Sequence, residues 1–322
     1  MSASASRELD PVNAPGGFRH EALLHAGETE FVAQAATFIR DGLDAGEPVL
    51  VVVGPKKIAA LRDELGDRAT DVRFADMLDV GANPARIIPA WQAFVGEHGG
   101  RGRTVRGIGE PIWAARSVDE LVECERHEAL LNLAFADGPS WWLLCPYDTQ
   151  TLPAPVLDEA RRNHPSVLDA GGHHRTAEFR GLDDIRGPFD EPLSDPPGGL
   201  DELRFAAHDL AAVRTWVDAR AARSGLGPSR TEDLVLAVNE IVTNSLRHGG
   251  GGGILRMWET TDVLISEIAD HGRIDQPMVG RQQPTLDQTS GFGLWITNQV
   301  CDLVQVRTFP GHSVVRLHMK RG

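Results

Sequence analysis

Apolar residues in the first half of the chain form helical stripes separated by short solid runs. Residues 28–43 place Phe31, Val32, Ala35, Phe38, Ile39 and Leu43 at the spacing of one helix face. Residues 48–53 are a solid run rich in β-branched side chains, the pattern of a strand covered on both faces in a parallel sheet. Residues 18–24, 72–75, 103–108 and 141–148 predict further strands. Residues 58–65, 85–97, 119–136 and 157–163 predict helices, the last stopped by His164-Pro165. Strands alternating with helices imply an open, mostly parallel α/β sheet.

The pattern changes after a linker, residues 181–200, that holds Pro188, Pro192, Pro196 and Pro197 and little apolar periodicity. Beyond it come strand candidates at 202–205, 254–260, 263–269, 303–308 and 313–319 and helices at 210–223 and 293–300. In the first of these helices Val213, Trp216 and Val217 face inward. A Gln- and Pro-rich lid region covers 273–290. Helices on one face of a mostly antiparallel sheet make an α+β two-layer sandwich. Its longest helix is predicted over 231–248, opened by a capping box of Ser229 and Glu232. Glu240, Asn244 and His248 recur every four residues and share one stripe, while Ile241, Val242 and Leu246 face a core. Five glycines, Gly249 to Gly253, end the helix. Taken alone, this stretch is equally a solvated helix face closed by a glycine turn.

Composition narrows the function classes. The 322 residues have room for two domains with sizeable cores. A formal charge of −14, from 46 acidic against 32 basic residues, argues against nucleic-acid or anionic-membrane binding as the main role. No apolar run approaches the roughly 18 to 20 residues of a membrane span. The start lacks the basic head and apolar body of a signal peptide, and residues 1–16 read as a disordered tail. Cys124, Cys145 and Cys301 lack metal-type spacing and fit a reducing cytoplasm; Cys301 reads as a buried small hydrophobe. His173 and His174 point apart on a strand, so no metal is expected there. Gly54-Pro-Lys56-Lys57 lacks the second glycine and the Ser or Thr of a phosphate loop.

Two glycine-bearing stretches give the polar stripe a chemical context. Residues 264–272 read as a strand ending in Asp270, with Gly272 in the turn that follows. Ser290-Gly291-Phe292-Gly293-Leu294 precedes a helix, where free backbone N–H groups can meet an anion. The ordered set E-x3-N-x3-H-G, then D-x-G, then G-x-G-L, over about residues 203–319, resembles the GHKL ATP-binding fold. In particular it resembles the anti-sigma-factor serine/threonine kinases of bacteria. The resemblance implies ATP and Mg²⁺ as cofactors, with Asn244 ligating the metal and Glu240 as general base. It implies that Asp270 accepts from the adenine amino group, with Gly272 leaving room for the ring. Gly291, Gly293 and Leu294 would form the phosphate loop, and Arg247 and His248 would lie near the nucleotide. For His248, a C-terminal helix cap is an equal alternative. Ile274 stands where the family's first box commonly has a second glycine, which implies a stiffer lid and puts turnover, more than binding, in question.

In the first half, Gly42-Leu with Gly46-Glu-Pro, residues 106–110, residues 125–132 and Cys145-Pro-Tyr-Asp148 are together similar to the MEDS sensory domain. That resemblance covers about residues 18–180 and implies a RecA-like α/β domain without a working nucleotide loop. A sensed ligand is expected beyond the strand carboxyl ends. Glu110, Cys145, Tyr147 and Asp148 are candidate contacts, with His20 and His164 as secondary ones; each has a packing or strand-ending role as its alternative. The expected domains are 17–180, sensory, and 201–322, a histidine-kinase-like ATPase.

These resemblances imply a cytoplasmic regulator of sigma-factor activity. Its ATPase domain would phosphorylate an anti-anti-sigma (STAS-type) protein on Ser or Thr, or sequester a sigma factor; a homodimer is one candidate assembly, which the sequence does not decide. One alternative is a non-catalytic ATP-binding module that captures a partner. Another is the output domain of a sensor histidine kinase, which needs a helical hairpin bearing a phosphoacceptor His that residues 175–205 do not supply.

Overall fold

In the computed structural model of the chain, residues 17–100, 103–182, 190–196, 198–285 and 291–321 are described. The tail expected over 1–16, residues 183–189 and 197 of the linker, and 286–290 of the lid region lie outside them. The chain divides into two compact units. Described residues within Met1–Asp79, Trp91–Ser117 and Glu128–Ile185 form the first; those within Val80–Ala90, Val118–His127 and Arg186–Gly322 form the second.

Elements follow in chain order as β1 (Phe18–His25), α1 (Gly27–Asp44), β2 (Val49–Val53), α2 (Pro55–Leu65), β3 (Val72–Asp76), α3 (Met77–Val80), α4 (Ile87–His98), β4 (Val105–Gly109), α5 (Val118–Ala134), β5 (Trp141–Asp148), α6 (Ala154–Asn163), β6 (Ser166–Asp169) and β7 (Gly172–Arg175). The sheet runs β3-β2-β4-β5-β1-β6-β7. All neighbours are parallel except β6 and β7. All five residues of β2 are buried, as its solid apolar run requires between two covering layers. Phe31, Ala35, Phe38 and Ile39 of α1 pack into a core shared with Val49, Val51 and Val53 of β2. The β6–β7 hairpin was not expected from the pattern.

The second unit holds β8 (Asp201–Ala206), α7 (Leu210–Arg223), α8 (Pro228–His248), β9 (Gly252–Glu259), β10 (Val263–Asp270), α9 (Phe292–Val300), β11 (Leu303–Phe309) and β12 (His312–Lys320). Its sheet, β11-β12-β10-β9-β8, is antiparallel throughout. Leu234, Val238, Ile241 and Val242 of α8 join Leu264 and Ile268 of β10 and Leu317 and Met319 of β12 in one core. Alternation along β10 and β12 sends Glu267 and Arg316 to the opposite face, where they form a buried ion pair with Nη2 to Oε2 at 2.6 Å.

Two local expectations need correction. The capping box of Ser229 and Glu232 does not form. The N-cap is Gly227, without a side-chain hydrogen bond, and Pro228 opens α8, because its fixed φ and missing N–H suit the first helical position. The glycine run is not all loop either. Gly252 and Gly253 belong to β9, where Gly253 faces Phe205 of β8 and Asp270 of β10.

Candidate functional site

Helical periodicity sets the site. The buried residues of α8 (Thr231, Leu234, Ala237, Val238, Ile241, Val242, Ser245) take the core face. Glu240 and Asn244 are thereby left on the flank. They line an open cavity of about 480 Å³ together with Arg247 and His248, Asp270, Gly272, and Gly291, Gly293 and Leu294. The residues that the resemblance places at the nucleotide therefore all line one cavity. Ile274, Val279, Phe292, Ser313 and Val315 complete much of the wall.

Asp270 closes one end. Its Oδ2 accepts from Ser245 Oγ at 2.5 Å, and its Oδ1 accepts from Gly272 N at 2.7 Å and Ser313 Oγ at 2.8 Å. Gly249 lies against this carboxylate: a methyl group there would be 2.5 Å from Asp270 Cγ. At the other end Gly291 takes a left-handed φ of 97° as the N-cap of α9, a conformation glycine adopts without Cβ strain. The turn brings Gly293 between the two polar residues of α8. A methyl there would lie 3.0 Å from Glu240 Oε2 and 3.1 Å from Asn244 Nδ2. Such an arrangement offers a fixed acceptor, an oxygen-donor pair and a helix start to one ligand.

Sequence reasoning missed Ser245, Ser313 and the contact role of Gly249. The glycine run was visible but read only as a terminator. No local pattern marks a serine that donates to a residue 25 or 43 positions away. Ile274 is partly buried against the core, and its N–H donates to Thr308 Oγ1 at 3.2 Å.

In the first unit the structure separates the four sensory candidates into two pairs. Glu110 follows β4 and Asp148 ends β5. Glu110 is buried and takes Lys57 Nζ at 2.5 Å. Burial pushes its carboxyl above the usual range, against the pull of Lys57. Asp148 accepts from Gly27 N at 3.1 Å, Gln150 N at 3.0 Å and Thr151 Oγ1 at 3.1 Å. Burial opposes its charge, yet those donors hold its carboxyl below the usual range. Cys145 and Tyr147 instead share a face of β5 within the core. Cys145 Sγ is 3.4 Å from His20 Nε2, and the Tyr147 ring meets His164 edge-on at 5.6 Å. His173 and His174 occupy β7, and His173 Nδ1 is 2.9 Å from Glu21 Oε1. No helix among the described residues is long and apolar enough to cross a membrane.

Residues 19–165 match MEDS, the methanogen/methylotroph DcmR sensory domain, and residues 203–319 match the histidine kinase-like ATPase domain. No curated protein matches the chain. Among solved structures, the RsbU and RsbW domains of Rv1364c from Mycobacterium tuberculosis are 17% identical, over 38% of this chain and 33% of that one, with a TM-score of 0.29. The histidine kinase AdeS of Acinetobacter baumannii is 12% identical, over 38% of this chain and 68% of that one, with a TM-score of 0.23. Likeness at that level carries no argument, and the assignment rests on the two domain matches and the layout of each unit. The chain joins an N-terminal MEDS domain to a C-terminal histidine-kinase-like ATPase domain of the GHKL type.

Proposed function

We propose that the C-terminal domain binds Mg–ATP and passes its terminal phosphoryl group to a serine or threonine of a protein partner, under the bias of the MEDS domain. The observation that supports this most is the sharing of one cavity by Glu240, Asn244 and Asp270. A cavity of about 480 Å³ is of the size that holds a small-molecule ligand. The Asp270 carboxylate has about four acceptor positions, and three are taken by Ser245, Gly272 and Ser313. The remaining one suits the adenine amino group. Asn244 offers the oxygen that a hard cation prefers, and the start of α9 offers backbone N–H groups to phosphate oxygens.

In this reading Glu240 takes the proton from the attacking hydroxyl as its oxygen bonds to phosphorus and the bond to the ADP oxygen breaks. Magnesium, when bound, neutralises charge on the phosphoryl group in flight. The partner class is an anti-anti-sigma protein of STAS type or a sigma factor, in a cytoplasmic regulatory pathway. One observation favours a second reading, ATP-dependent capture without transfer. Ile274 is anchored to the core and to Thr308 where a mobile lid hinge would need freedom.

Calorimetric titration and transfer assays test both readings. Asn244→Ala is expected to abolish Mg–ATP binding, while Glu240→Ala binds and fails to transfer. Wild-type affinity in Asn244→Ala would end the metal role. With radiolabelled ATP and a STAS-type protein, label on a partner Ser or Thr excludes pure capture; tight ATP-dependent complex formation without label excludes transfer.

A further inference from the structure

Four side chains outside the nucleotide cavity meet inside the first unit. His20 of β1, Glu128 of α5, Cys145 of β5 and His164 just beyond α6 each offer one ligand atom, and these atoms all lie within 4.8 Å of one another. None of the four residues is more than 1% exposed. His20 Nε2 is 3.0 Å from Glu128 Oε2 and 3.4 Å from Cys145 Sγ, and His164 Nε2 is 3.3 Å from the same Glu128 oxygen.

Outer hydrogen bonds fix both rings. His164 Nδ1 is 2.7 Å from the Ala160 carbonyl, which only accepts, so Nδ1 carries the proton. Asn132 Nδ2 donates to the Asn163 carbonyl at 2.8 Å, which turns Asn132 Oδ1 toward His20 Nδ1 at 3.1 Å. His20 therefore also carries its proton on Nδ1. In each neutral ring Nε2 presents a lone pair to the Glu128 carboxylate. His164 Nε2 and Glu128 Oε1 are buried without a hydrogen-bond partner. Lone pairs and a carboxylate turned on one another repel unless a cation lies among them.

We propose that this cluster binds one divalent metal ion of the zinc class through His20 Nε2, His164 Nε2, Cys145 Sγ and the Glu128 carboxylate. Bonds of about 2.0–2.3 Å to four ligands give a tetrahedron with edges of about 3.3–3.8 Å. The contacts of 3.0, 3.3 and 3.4 Å reach that figure with small side-chain shifts. Two imidazoles, a carboxylate and a thiolate are a donor set that zinc accepts. A dipositive ion with one carboxylate and one thiolate leaves the buried site neutral. The bonds to Ala160 and Asn132 hold the rings as the outer partners of metal-bound imidazoles do. A ligand must be deprotonated to bind the ion, so the S–H bond of Cys145 breaks as the metal–sulfur bond forms, with one proton released to solvent per ion. Four protein ligands leave no open position, so the ion ties β1, α5, β5 and residue 164 together and does not activate water.

The test uses the full chain, stripped with a chelator and titrated with cobalt(II), then zinc. The expected result is one equivalent bound, a thiolate-to-cobalt charge-transfer absorption that zinc displaces, and one proton released. Cys145→Ala, folded by circular dichroism, is expected to lose the absorption and the proton release. Asn132→Ala is expected to lower zinc affinity by about 10- to 100-fold. A folded wild-type chain that binds no cobalt overturns the proposal, as does a folded Cys145→Ala chain that keeps the absorption. If Cys145→Ala does not fold, the wild-type titration decides alone.

Discussion

Asp270 shows how much one residue depends on distant ones. Its place at a strand end before Gly272 was legible, because a strand followed by Asp and Gly has to turn there. Its two serine donors were not, since they arrive from α8 and β12. Asp270→Asn puts an amide N–H₂ where a carboxylate oxygen now accepts. It is expected to weaken ATP binding tenfold or more, on the order of 1–3 kcal/mol, by calorimetry. Gly249→Ala tests the same end of the cavity sterically, because its methyl would sit 2.5 Å from Asp270 Cγ. Weakened ATP binding with unchanged helix content is the expected outcome; unaltered affinity would show that Asp270 does not touch the nucleotide.

At the scale of elements, α8 is the best-predicted and also the most instructive. Its apolar positions and its stripe were readable because 3.6-residue periodicity is a local property. Its start was misread, since Gly227 and Pro228 begin the helix and leave Ser229 without a capping bond. Ser229→Ala is therefore expected to change stability by less than about 0.5 kcal/mol, where loss of a true cap costs about 1. Leu234→Ala, at a fully buried position of the same helix, is expected to cost about 2–5 kcal/mol in denaturant unfolding. Strand β6, four residues long, is too short for a readable alternation, and the placing of His173 and His174 on a strand did not reveal its pairing with β7.

For the whole molecule, one part of the pH dependence follows from His20, beside the buried His25 and His318, whose pKa values burial also lowers. The pKa of His20 in the folded chain, about 4, lies below the ordinary 6.5. The folded state therefore rejects a proton that the unfolded chain accepts. Its contribution is fully present above pH 6.5 and is lost as pH falls toward 4, by up to about 3 kcal/mol. Unfolding midpoints of the chelator-treated chain between pH 7 and 4.5 are expected to drop, and His20→Gln is expected to flatten that slope. The residue order alone determined the two architectures, the polar stripe of α8 and the two glycine turns, because spacing along a chain encodes local backbone geometry. Only the tertiary structure decided that Ser313 meets Asp270, that Gly249 presses on it, and that His20, Glu128, Cys145 and His164 converge. Those meetings depend on which strands and helices become neighbours, and long-range packing sets that without leaving a periodic trace in the chain.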